Sequence, residues 1–196
     1  YHRISKGSID SAKEVMALLY FQPASVIDIG CGVGEWNNGI PDYTGVDHQV
    51  KKEDLIIPAV NYIDCNLDKD FPALTRKYDL ALCLEVAEHL RPHRAEGLVK
   101  LLCSLSDKVL FSAAIPFQGG IGHVNKQWQS WWAELFKQNG FGASMRQPDI
   151  RNAARIELWY KNNMILYEKG AVGKVIDFVL PAYYMEIAGF LERKLS

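Results

Sequence analysis

The sequence has no excess of charge of either sign. Its 196 residues include 22 Lys and Arg against 23 Asp and Glu, which gives a formal net charge of −1. A chain this close to neutrality has no overall electrostatic field that would attract nucleic acid or anionic lipid. We therefore expect no nucleic-acid partner.

Cysteine is scarce and dispersed. The four cysteines stand far apart in the chain, at Cys31, Cys65, Cys83 and Cys103. Three of them lie in apolar or strand-like runs, where a free cysteine behaves as a small hydrophobic residue. This spacing predicts neither a disulfide framework nor a zinc site.

Long uncharged hydrophobic runs are also missing. The first residues do not form the continuous apolar stretch of a signal peptide. The most hydrophobic region near the C-terminus is interrupted by Lys174, Asp177, Pro181 and Glu186. We expect no membrane span and a reducing, cytoplasmic setting.

Short apolar runs alternate with helical stretches through most of the chain. The runs predict five strands, at residues 25–29, 43–47, 61–64, 78–84 and 108–112. Apolar residues at helical spacing predict helices at residues 11–19, 92–105 and 126–139. This alternation predicts an α/β fold with a mostly parallel sheet covered by helices on both faces. In such sheets ligands bind beyond the carboxyl ends of the strands.

The C-terminal part of the chain has a different pattern. Residues 157–160 and 164–167 flank an Asn-containing turn and predict a β-hairpin. Residues 172–195 predict an amphipathic helical tail interrupted by Pro181. We expect this tail to pack on the domain or to form a homodimer interface.

The strongest local signal is the glycine-rich segment after the first predicted strand. Gly30, Gly32 and Gly34 permit a tight turn that a ligand can approach without interference from Cβ atoms. A dinucleotide-binding fingerprint requires its third glycine at position 35, where Glu35 stands. No Gly-Lys-Ser/Thr sequence follows, so a phosphate-binding loop is not supported either. Asp28, just before the first glycine, favours a cationic ligand.

Residues 26–34 resemble the first motif of class I S-adenosylmethionine-dependent methyltransferases: an acidic residue, an apolar residue and Gly-x-Gly-x-Gly. The resemblance implies a Rossmann-like, mostly parallel, seven-stranded sheet with an antiparallel C-terminal hairpin. It also implies S-adenosyl-L-methionine as cofactor and S-adenosyl-L-homocysteine as product. On this resemblance, residues 1–170 form the methyltransferase domain and residues 171–196 form the tail.

The same resemblance assigns roles to the residues after the later strands. Asp47 matches the acidic position that binds the ribose hydroxyls in this family, and His48 follows it. Asp64 and Cys65 match the position that holds the adenine. The segment from Cys83 to Leu90 is similar to the fourth motif. The cofactor-binding residues implied by the resemblance are Asp28, Gly30, Cys31, Gly32, Gly34, Asp47, His48, Asp64, Cys65, Leu84 and Glu85.

The segment from Cys83 to Leu90 also contains His89, which we regard as a second catalytic candidate. His89 and His93 are four residues apart, but Pro92 lies between them and no carboxylate-rich cluster accompanies them. The fifth predicted strand ends without an acidic residue, unlike in metal-dependent catechol-type methyltransferases. The sequence therefore predicts no metal site.

A glycine-rich loop at residues 117–125 supplies the first catalytic candidate. The loop resembles a Gly-x-Gly-His-x-Asn element of bacterial methyltransferases, several of which are associated with sugar or glycan modification. An imidazole is suited to accept the proton of an alcohol nucleophile, so His123 is the candidate general base. The alternative is that His123 and Asn125 only fix the loop, with Asn125 capping the next helix.

Aromatic residues near these loops are candidates for acceptor binding, because aromatic faces suit both sugar C–H surfaces and a sulfonium cation. Trp128 and Trp132 lie on one stripe of the predicted helix and favour core packing, whereas Trp131 lies off it. Trp36 fits either a role over the cofactor or packing under the first helix. The candidate acceptor residues are Trp36, Phe117, Asn125 and Trp131.

These observations predict a methyltransferase that acts on an oxygen of a sugar, glycan or other small molecule. N-methylation ranks lower because the Asn/Asp-Pro-Pro-Tyr/Phe signature is absent after the fourth strand. The sequence leaves open two more classes, a non-catalytic module with the same fold and a nucleotide-sugar oxidoreductase. We expect short elements, residues 117–132 and the tail after Val172, to recognise the acceptor.

Overall fold

The computed structural model describes residues 5–185 and 188–189 of the chain. The α-helices are α1 (Lys6–Leu18), α2 (Ala95–Leu105), α3 (Gln129–Gln138) and α4 (Leu158–Asn163). The strands are β1 (Ser25–Ile29), β2 (Asp42–Asp47), β3 (Tyr62–Asp64), β4 (Leu80–Leu84), β5 (Lys108–Ser112), β6 (Phe141–Ala143) and β7 (Ile165–Lys169). Single 3₁₀ turns lie at Lys52–Asp54, Ala59–Asn61, Ala87–His89 and Pro92–Arg94.

The strands form one seven-stranded sheet in the order β3-β2-β1-β4-β5-β7-β6. The first five strands are parallel, whereas β7 runs antiparallel to both β5 and β6. The strand order reverses between β1 and β4, so the loops that follow these two strands leave the sheet in opposite directions. A crevice opens at such a point, beyond the carboxyl ends of the strands.

Both faces of the sheet are buried, as the continuous apolar runs of its parallel strands require. One core lies against α2 and α3 and includes Leu98, Leu102 and Phe136. The other lies against α1 and α4 and includes Val15 and Tyr160. The predicted Rossmann-like fold, with helices on both faces and an antiparallel edge, is confirmed.

Two of the predicted helices begin at other residues than expected. The first begins at Lys6 and not at Ser11, because Ser5 is its N-cap and its side chain accepts from the Ser8 N–H. Ser11 is instead fully buried and its hydroxyl donates to the Gly7 carbonyl. The helix predicted from Lys126 begins at Gln129.

The predicted hairpin of residues 157–160 and 164–167 is wrong in its first strand. Residues 158–163 form α4, and the antiparallel partner of β7 is β6 at residues 141–143. The alternation of apolar and polar residues at 157–160 is typical of a strand, but a short helix buries Tyr160 equally well.

The expected helical tail is also wrong over its first part. Residues 174–180 have no regular secondary structure, and helix is present at residues 181–185. The backbone of this segment is held by side chains of the domain: Asn162 Oδ1 accepts from the Leu180 N–H at 2.8 Å, and Gln129 Nε2 donates to the Phe178 carbonyl at 2.9 Å. Most of the predicted helix beyond this point lies outside the described residues. Within the described part of the chain, no helix is long and apolar enough to cross a membrane.

Candidate active site

The glycine loop after β1 folds as a turn that only glycine can form without strain. Gly30, Gly32 and Gly34 have φ values of 87°, 54° and 95°, in the left-handed region. A methyl group on Gly30 would lie 2.2 Å from Cγ2 of Val86, and one on Gly34 would lie 2.6 Å from Cγ2 of Ile57. The glycines therefore also allow the loop to pack tightly against its neighbours.

Asp47, the last residue of β2, is tied to this loop by its carboxylate. Its Oδ2 accepts from the Gly32 N–H at 2.7 Å, and its Oδ1 accepts from the His48 N–H at 2.6 Å. A carboxylate has about four acceptor positions, so two of them remain for donors from a ligand. The arrangement fixes the carboxylate at the carboxyl edge of the sheet.

A cavity of about 520 Å³ lies at this edge, within the range of small-molecule sites. Seven of the residues predicted to act on the cofactor or in catalysis line it: Gly30, Gly32, Asp47, His48, Cys65, Glu85 and His89. Sequence reasoning does not identify the other lining residues, which are Asn66, Leu67, Asp68, Val86 and Leu90. Asp68 lies on the wall because it pairs with Arg91 of the next loop, with 2.8 Å between Oδ2 and Nε, and no local sequence signal marks this pairing.

Asp28 lies behind the glycine loop and does not line the cavity. Its side chain is 2% exposed, and its Oδ2 accepts from the Tyr43 hydroxyl at 2.5 Å. Burial raises the pKa of Asp28 to about 7, and the charges of Asp47 and Glu35 act in the same direction. Asp28 therefore supports the glycine loop from inside the protein. Because its pKa is about 7, its protonation changes with pH near neutrality.

Asp64 and Cys65 occupy different environments although they are adjacent. The Asp64 carboxylate is exposed and lies 2.8 Å from Nδ1 of His48, and this hydrogen bond lowers its pKa. The Cys65 N–H donates to the Asp47 carbonyl at 2.8 Å, so this donor is already used within the protein. The contacts of these two residues with the adenine stay a prediction, and of the two only Cys65 lines the cavity.

Three further residues of the predicted cofactor set lie outside the wall of the cavity. Cys31 and Leu84 are buried, at 6% and 7% exposure, and Leu84 packs in the core on the α1 side. The last of the three is Gly34. Its N–H donates to the Cys31 carbonyl at 2.9 Å, and this hydrogen bond closes the glycine turn. These residues shape the site from behind.

Glu85, the first residue after β4, is held by a network of buried amides. It has a φ of 56°, an uncommon value for a residue other than glycine, and such strain concentrates at functional sites. Its carboxylate accepts from Asn163 Nδ2 at 3.2 Å and from Gln118 Nε2 at 3.3 Å. Burial raises the pKa of Glu85, whereas these donors lower it. No sequence pattern connects Glu85 with Asn163, which lies 78 residues further along the chain.

The network continues from Asn163 to the tail. Asn162 Nδ2 donates to Asn163 Oδ1 at 2.8 Å, and Asn162 Oδ1 accepts from the Leu180 N–H. Both asparagines are buried, at 0% and 3% exposure. The position of the tail is thus linked to the carboxylate that lines the cavity.

Glu88 is the most deeply buried acidic side chain near the site, with 0% exposure. Neither of its carboxylate oxygens makes a hydrogen bond of normal geometry. Burial raises the pKa of Glu88 well above the usual range, and the charge of Glu85 adds to this effect. The nearby N–H groups of Glu88 and Ala114 lower it in part.

The loop at residues 117–125 carries His123 to His89. The Glu88 carbonyl accepts from the N–H groups of Val124 and Asn125 at 2.8 and 3.0 Å, which attaches the end of the loop to the turn after β4. The rings of His89 and His123 then meet edge to face, with 4.8 Å between their centroids. Burial lowers the pKa of both imidazoles, and that of His123 falls to about 4. The catalytic candidates, distant in the sequence, are therefore neighbours in the fold, and His89 lines the cavity.

Two glycines lie next to these rings. A methyl group on Gly120 would lie 2.1 Å from Cε1 of His123, and one on Gly122 would lie 3.6 Å from Nδ1 of His89. Both glycines have positive φ, at 150° and 76°. The His123 ring occupies the space that a side chain at position 120 would need, whereas a methyl group at position 122 would make an ordinary contact with His89.

Asn125 does not cap α3, which corrects one of the two roles expected for it. It is 2% exposed, and its Nδ2 donates to the Ala87 carbonyl at 3.4 Å. Trp128 occupies the cap position of α3 and makes no side-chain cap hydrogen bond, whereas Asp177 Oδ1 accepts from the Ser130 N–H of the first turn at 2.8 Å. The role of Asn125 in the structure is to anchor the loop.

The aromatic candidates separate into buried and exposed groups. Trp36 is 5% exposed, and its indole donates to the Tyr160 hydroxyl at 3.4 Å in the core between α1 and α4. Phe117 and Trp131 are 62% and 38% exposed. Only the latter pair therefore presents aromatic surface to a ligand.

The cavity has the features that S-adenosylmethionine requires. Glycines without side chains form one part of its wall, and an oriented carboxylate at Asp47 offers acceptors for two hydroxyl groups. The volume of about 520 Å³ accommodates a ligand of this size. The described residues thus fit the cofactor that the sequence motif implies.

Comparison with known families agrees with this geometry. The family described as a methyltransferase domain matches residues 1–155, which is most of the chain. The chain belongs to this family, and it is a class I methyltransferase that uses S-adenosylmethionine. No curated protein sequence matches the chain significantly.

Solved structures share the fold at low sequence identity. Magnesium protoporphyrin IX methyltransferase from Synechocystis PCC 6803, with bound S-adenosylhomocysteine, is 18% identical with a TM-score of 0.55, over 85% of this chain and 89% of that one. LaPhzM is 14% identical with a TM-score of 0.57, over 83% and 55% of the two chains. Human N-acetylserotonin methyltransferase, in complex with S-adenosylmethionine, is 15% identical with a TM-score of 0.53, over 82% and 52%. The chain therefore spans about half the length of the last two proteins.

Proposed function

We propose that this domain transfers the methyl group of S-adenosylmethionine to a hydroxyl of a sugar, glycan or other small molecule. The observation that carries the proposal is the placement of His89 and His123. His89 lines the same cavity as the glycine loop and Asp47, and His123 contacts its ring. A proton acceptor thus lies beside the cofactor cavity.

Binding of the cofactor is assigned to the residues around the glycine loop. Gly30 and Gly32 offer open backbone, Asp47 accepts from the ribose hydroxyls, and Cys65 and Leu67 form the part of the wall after β3. When bound, the cofactor supplies an electrophilic methyl group on a sulfonium. Most of the contribution of the protein is then to align the acceptor with that methyl group, an effect worth up to about 7–11 kcal/mol.

The acceptor oxygen forms a bond to the methyl carbon as the carbon–sulfur bond breaks, and the hydroxyl proton must leave. An imidazole in its neutral form has a lone pair for that proton. His123 is the candidate base because it belongs to the loop that closes over the site, whereas His89 belongs to the turn after β4. Glu85 lies in the wall of the same cavity, where the side-chain amides of Gln118 and Asn163 donate hydrogen bonds to its carboxylate.

A small acceptor is favoured by the surface around the site. Phe117, Ile121 and Val124 are exposed on the loop, and Trp131 is exposed at the start of α3. Aromatic and aliphatic surfaces of this kind suit the C–H faces of a sugar or a ring system. Two of the similar structures carry the names of small acceptors, magnesium protoporphyrin IX and N-acetylserotonin, which supports the same class.

Mass spectrometry of a cell extract incubated with the protein and isotopically labelled cofactor tests this function. We expect label in a hydroxyl-bearing small molecule or glycan.

His123→Ala should reduce the rate by about 10²–10⁴-fold and change the affinity for S-adenosylhomocysteine little. His93→Ala, an exposed histidine nearby, is the matched control and should keep full activity. Label found only on amine nitrogens, or full activity of His123→Ala, would contradict the proposal.

A further inference from the structure

Glu88, His89 and His123 form a cluster that the cofactor cavity alone does not explain. A carboxylate oxygen of Glu88 and one ring nitrogen of each histidine all lie within 4.8 Å of one another. One carboxylate and two imidazoles form a donor set typical of divalent transition-metal sites with open positions. The three residues come from two segments that are joined at the Glu88 carbonyl.

The state of Glu88 is the independent observation that points to a ligand. Its side chain is 0% exposed, and neither oxygen makes a hydrogen bond of normal geometry. Nδ1 of His123 is likewise buried and has no partner. Burying a carboxylate without a partner is costly, and buried charges in proteins are commonly paired or bound to metals. Among the described residues, the N–H groups of Glu88 and Ala114 and the Glu85 carboxyl lie near the Glu88 carboxyl, but none forms a hydrogen bond of normal geometry with it.

We propose that Glu88, His89 and His123 bind one divalent transition-metal ion at the edge of the cofactor cavity. The sequence predicts no metal site because His89 and His93, four residues apart, have no carboxylate-rich cluster beside them. The fold instead brings His89 together with its neighbour Glu88 and with His123 from the loop.

The local geometry is suited to metal binding with a small adjustment. Ligand atoms that lie about 2.0–2.2 Å from one ion are roughly 3–4 Å apart. The three ligand atoms of the cluster must therefore move about 1 Å closer together to bind an ion. The absence of a side chain at Gly120 lets the His123 ring lie directly against the backbone of the loop. Glu85, whose carboxylate is fixed by Asn163, lies next to Glu88 as a second acidic group.

The site deepens the proposed function and depends on it for its role. A metal with three protein ligands keeps coordination positions open, and a hydroxyl that approaches such an ion loses its proton more readily. The proton is released to solvent and the oxygen takes the methyl group from the sulfonium. In this form of the reaction, His123 acts as a ligand and does not itself accept the proton.

Cobalt(II) titration of metal-free protein tests the site directly. The full chain is treated with a chelator, and Co²⁺ is added while the visible d–d absorption is recorded. We expect one equivalent of Co²⁺ to give a saturable spectrum, which one equivalent of Zn²⁺ displaces. Glu88→Gln and His123→Ala should each weaken Co²⁺ binding by at least about 100-fold, since loss of a supporting partner alone costs about 10–100-fold. His93→Ala should bind as the unchanged protein does.

A second readout keeps the test independent of catalysis and of folding defects. Binding of S-adenosylhomocysteine by each variant reports whether the domain is folded. Glu88→Gln should also make the metal-free protein more resistant to thermal unfolding, because it removes a buried carboxylate, and should abolish the rise in melting temperature that Co²⁺ produces.

The outcomes separate the two proposals. Binding of S-adenosylhomocysteine with no Co²⁺ spectrum overturns the metal site and leaves the proposed function intact. A Co²⁺ spectrum without binding of S-adenosylhomocysteine overturns the proposed function and leaves the metal site. A spectrum that Glu88→Gln and His123→Ala leave unchanged places the ion elsewhere and overturns the assignment.

Discussion

The two halves of the site are built in different ways. On one side, backbone N–H groups of the glycine loop donate to the Val46 carbonyl and to the Asp47 carboxylate at the end of the neighbouring parallel strand. On the other side, Glu85, Gln118 and Asn163 are joined by buried side chains from three distant segments. The first half depends on local backbone conformation, whereas the second depends on complete satisfaction of a polar network.

The largest effect is expected where a second charge enters that network. Asn163→Asp removes the amide that donates to Glu85 and adds a carboxylate beside Glu85, which itself interacts with Glu88. We expect the free energy of unfolding at pH 8 to fall by about 3–5 kcal/mol, and the loss to shrink at acidic pH as the carboxyl groups become protonated.

Urea denaturation across pH measures this change. Asn152→Asp makes the same chemical change in an exposed turn and should alter the stability by less than about 0.5 kcal/mol. Equal effects of the two substitutions would show that the buried network has no special role.

The cofactor half is tested next by Asp47→Asn. The substitution keeps the shape of the side chain but removes the charge that accepts from the Gly32 N–H and that, on the proposed function, accepts from the ribose hydroxyls. Two hydrogen bonds to a charged group are worth about 1.5–3 kcal/mol each, and Asn keeps one neutral acceptor worth about 0.5–1.5 kcal/mol. The net loss of about 2–4 kcal/mol should lower the affinity for S-adenosylhomocysteine about 30–1000-fold.

Asp64→Asn is the comparison for Asp47. Asp64 is exposed, and its ion pair with His48 is an interaction worth little in solution. We expect isothermal titration calorimetry to give an affinity within a few-fold of the unchanged protein. A larger loss for Asp64→Asn than for Asp47→Asn would reverse the assignment of these two carboxylates.

A glycine pair separates backbone strain from close packing. Gly30→Ala places a methyl group 2.2 Å from Val86 and also forces an alanine to a φ of 87°. Gly39 has a φ of 76°, but nothing lies within 4 Å of the position that a methyl group would take there, so Gly39→Ala adds only strain. We expect destabilisation of about 2–4 kcal/mol for the first and about 1 kcal/mol for the second.

We expect Gly30→Ala and Gly39→Ala to differ in cofactor affinity as they differ in stability. Gly30→Ala displaces the wall of the cavity and should abolish measurable binding of S-adenosylhomocysteine, whereas Gly39→Ala should preserve it. Differential scanning fluorimetry with and without the ligand measures both effects. Binding retained by Gly30→Ala would mean that the loop tolerates a side chain at this position.

The smallest effect concerns Asp28 and depends on pH. Its pKa is about 7 in the folded protein against the ordinary 3.8 of an aspartate, so between these values the folded state holds a proton that the unfolded state has released. The contribution of Asp28 to stability is therefore fully present below about pH 4 and is lost as the pH rises to about 7. Asp28→Asn should remove this decline and be more stable than the unchanged protein at pH 8, by about 1–3 kcal/mol.

Chemical denaturation of both proteins from pH 4 to pH 8 gives the difference. Asn keeps an oxygen that accepts from the Tyr43 hydroxyl, so the comparison isolates the charge. A difference in stability that stays constant across this range would contradict the raised pKa.

The first half of the site is more predictable from sequence than the second, for physical reasons. Gly30, Gly32 and Asp47 can be found because a turn after a buried strand restricts residue types locally, and the parallel fold then brings the strand ends together. Asn163 and Gln118 escape detection because an amide that pairs across the fold leaves no periodic pattern. The strand predicted at residues 157–160 is wrong because a short apolar segment fits a strand or a helix equally well.

The central claim is that the cavity bounded by the glycine loop and Asp47 binds the methyl donor. Isothermal titration of the folded protein with S-adenosylhomocysteine tests it most directly. The structure predicts saturable binding at one site per chain, which Asp47→Asn weakens strongly and Asp64→Asn does not. Absence of binding in a protein that unfolds cooperatively would contradict the claim.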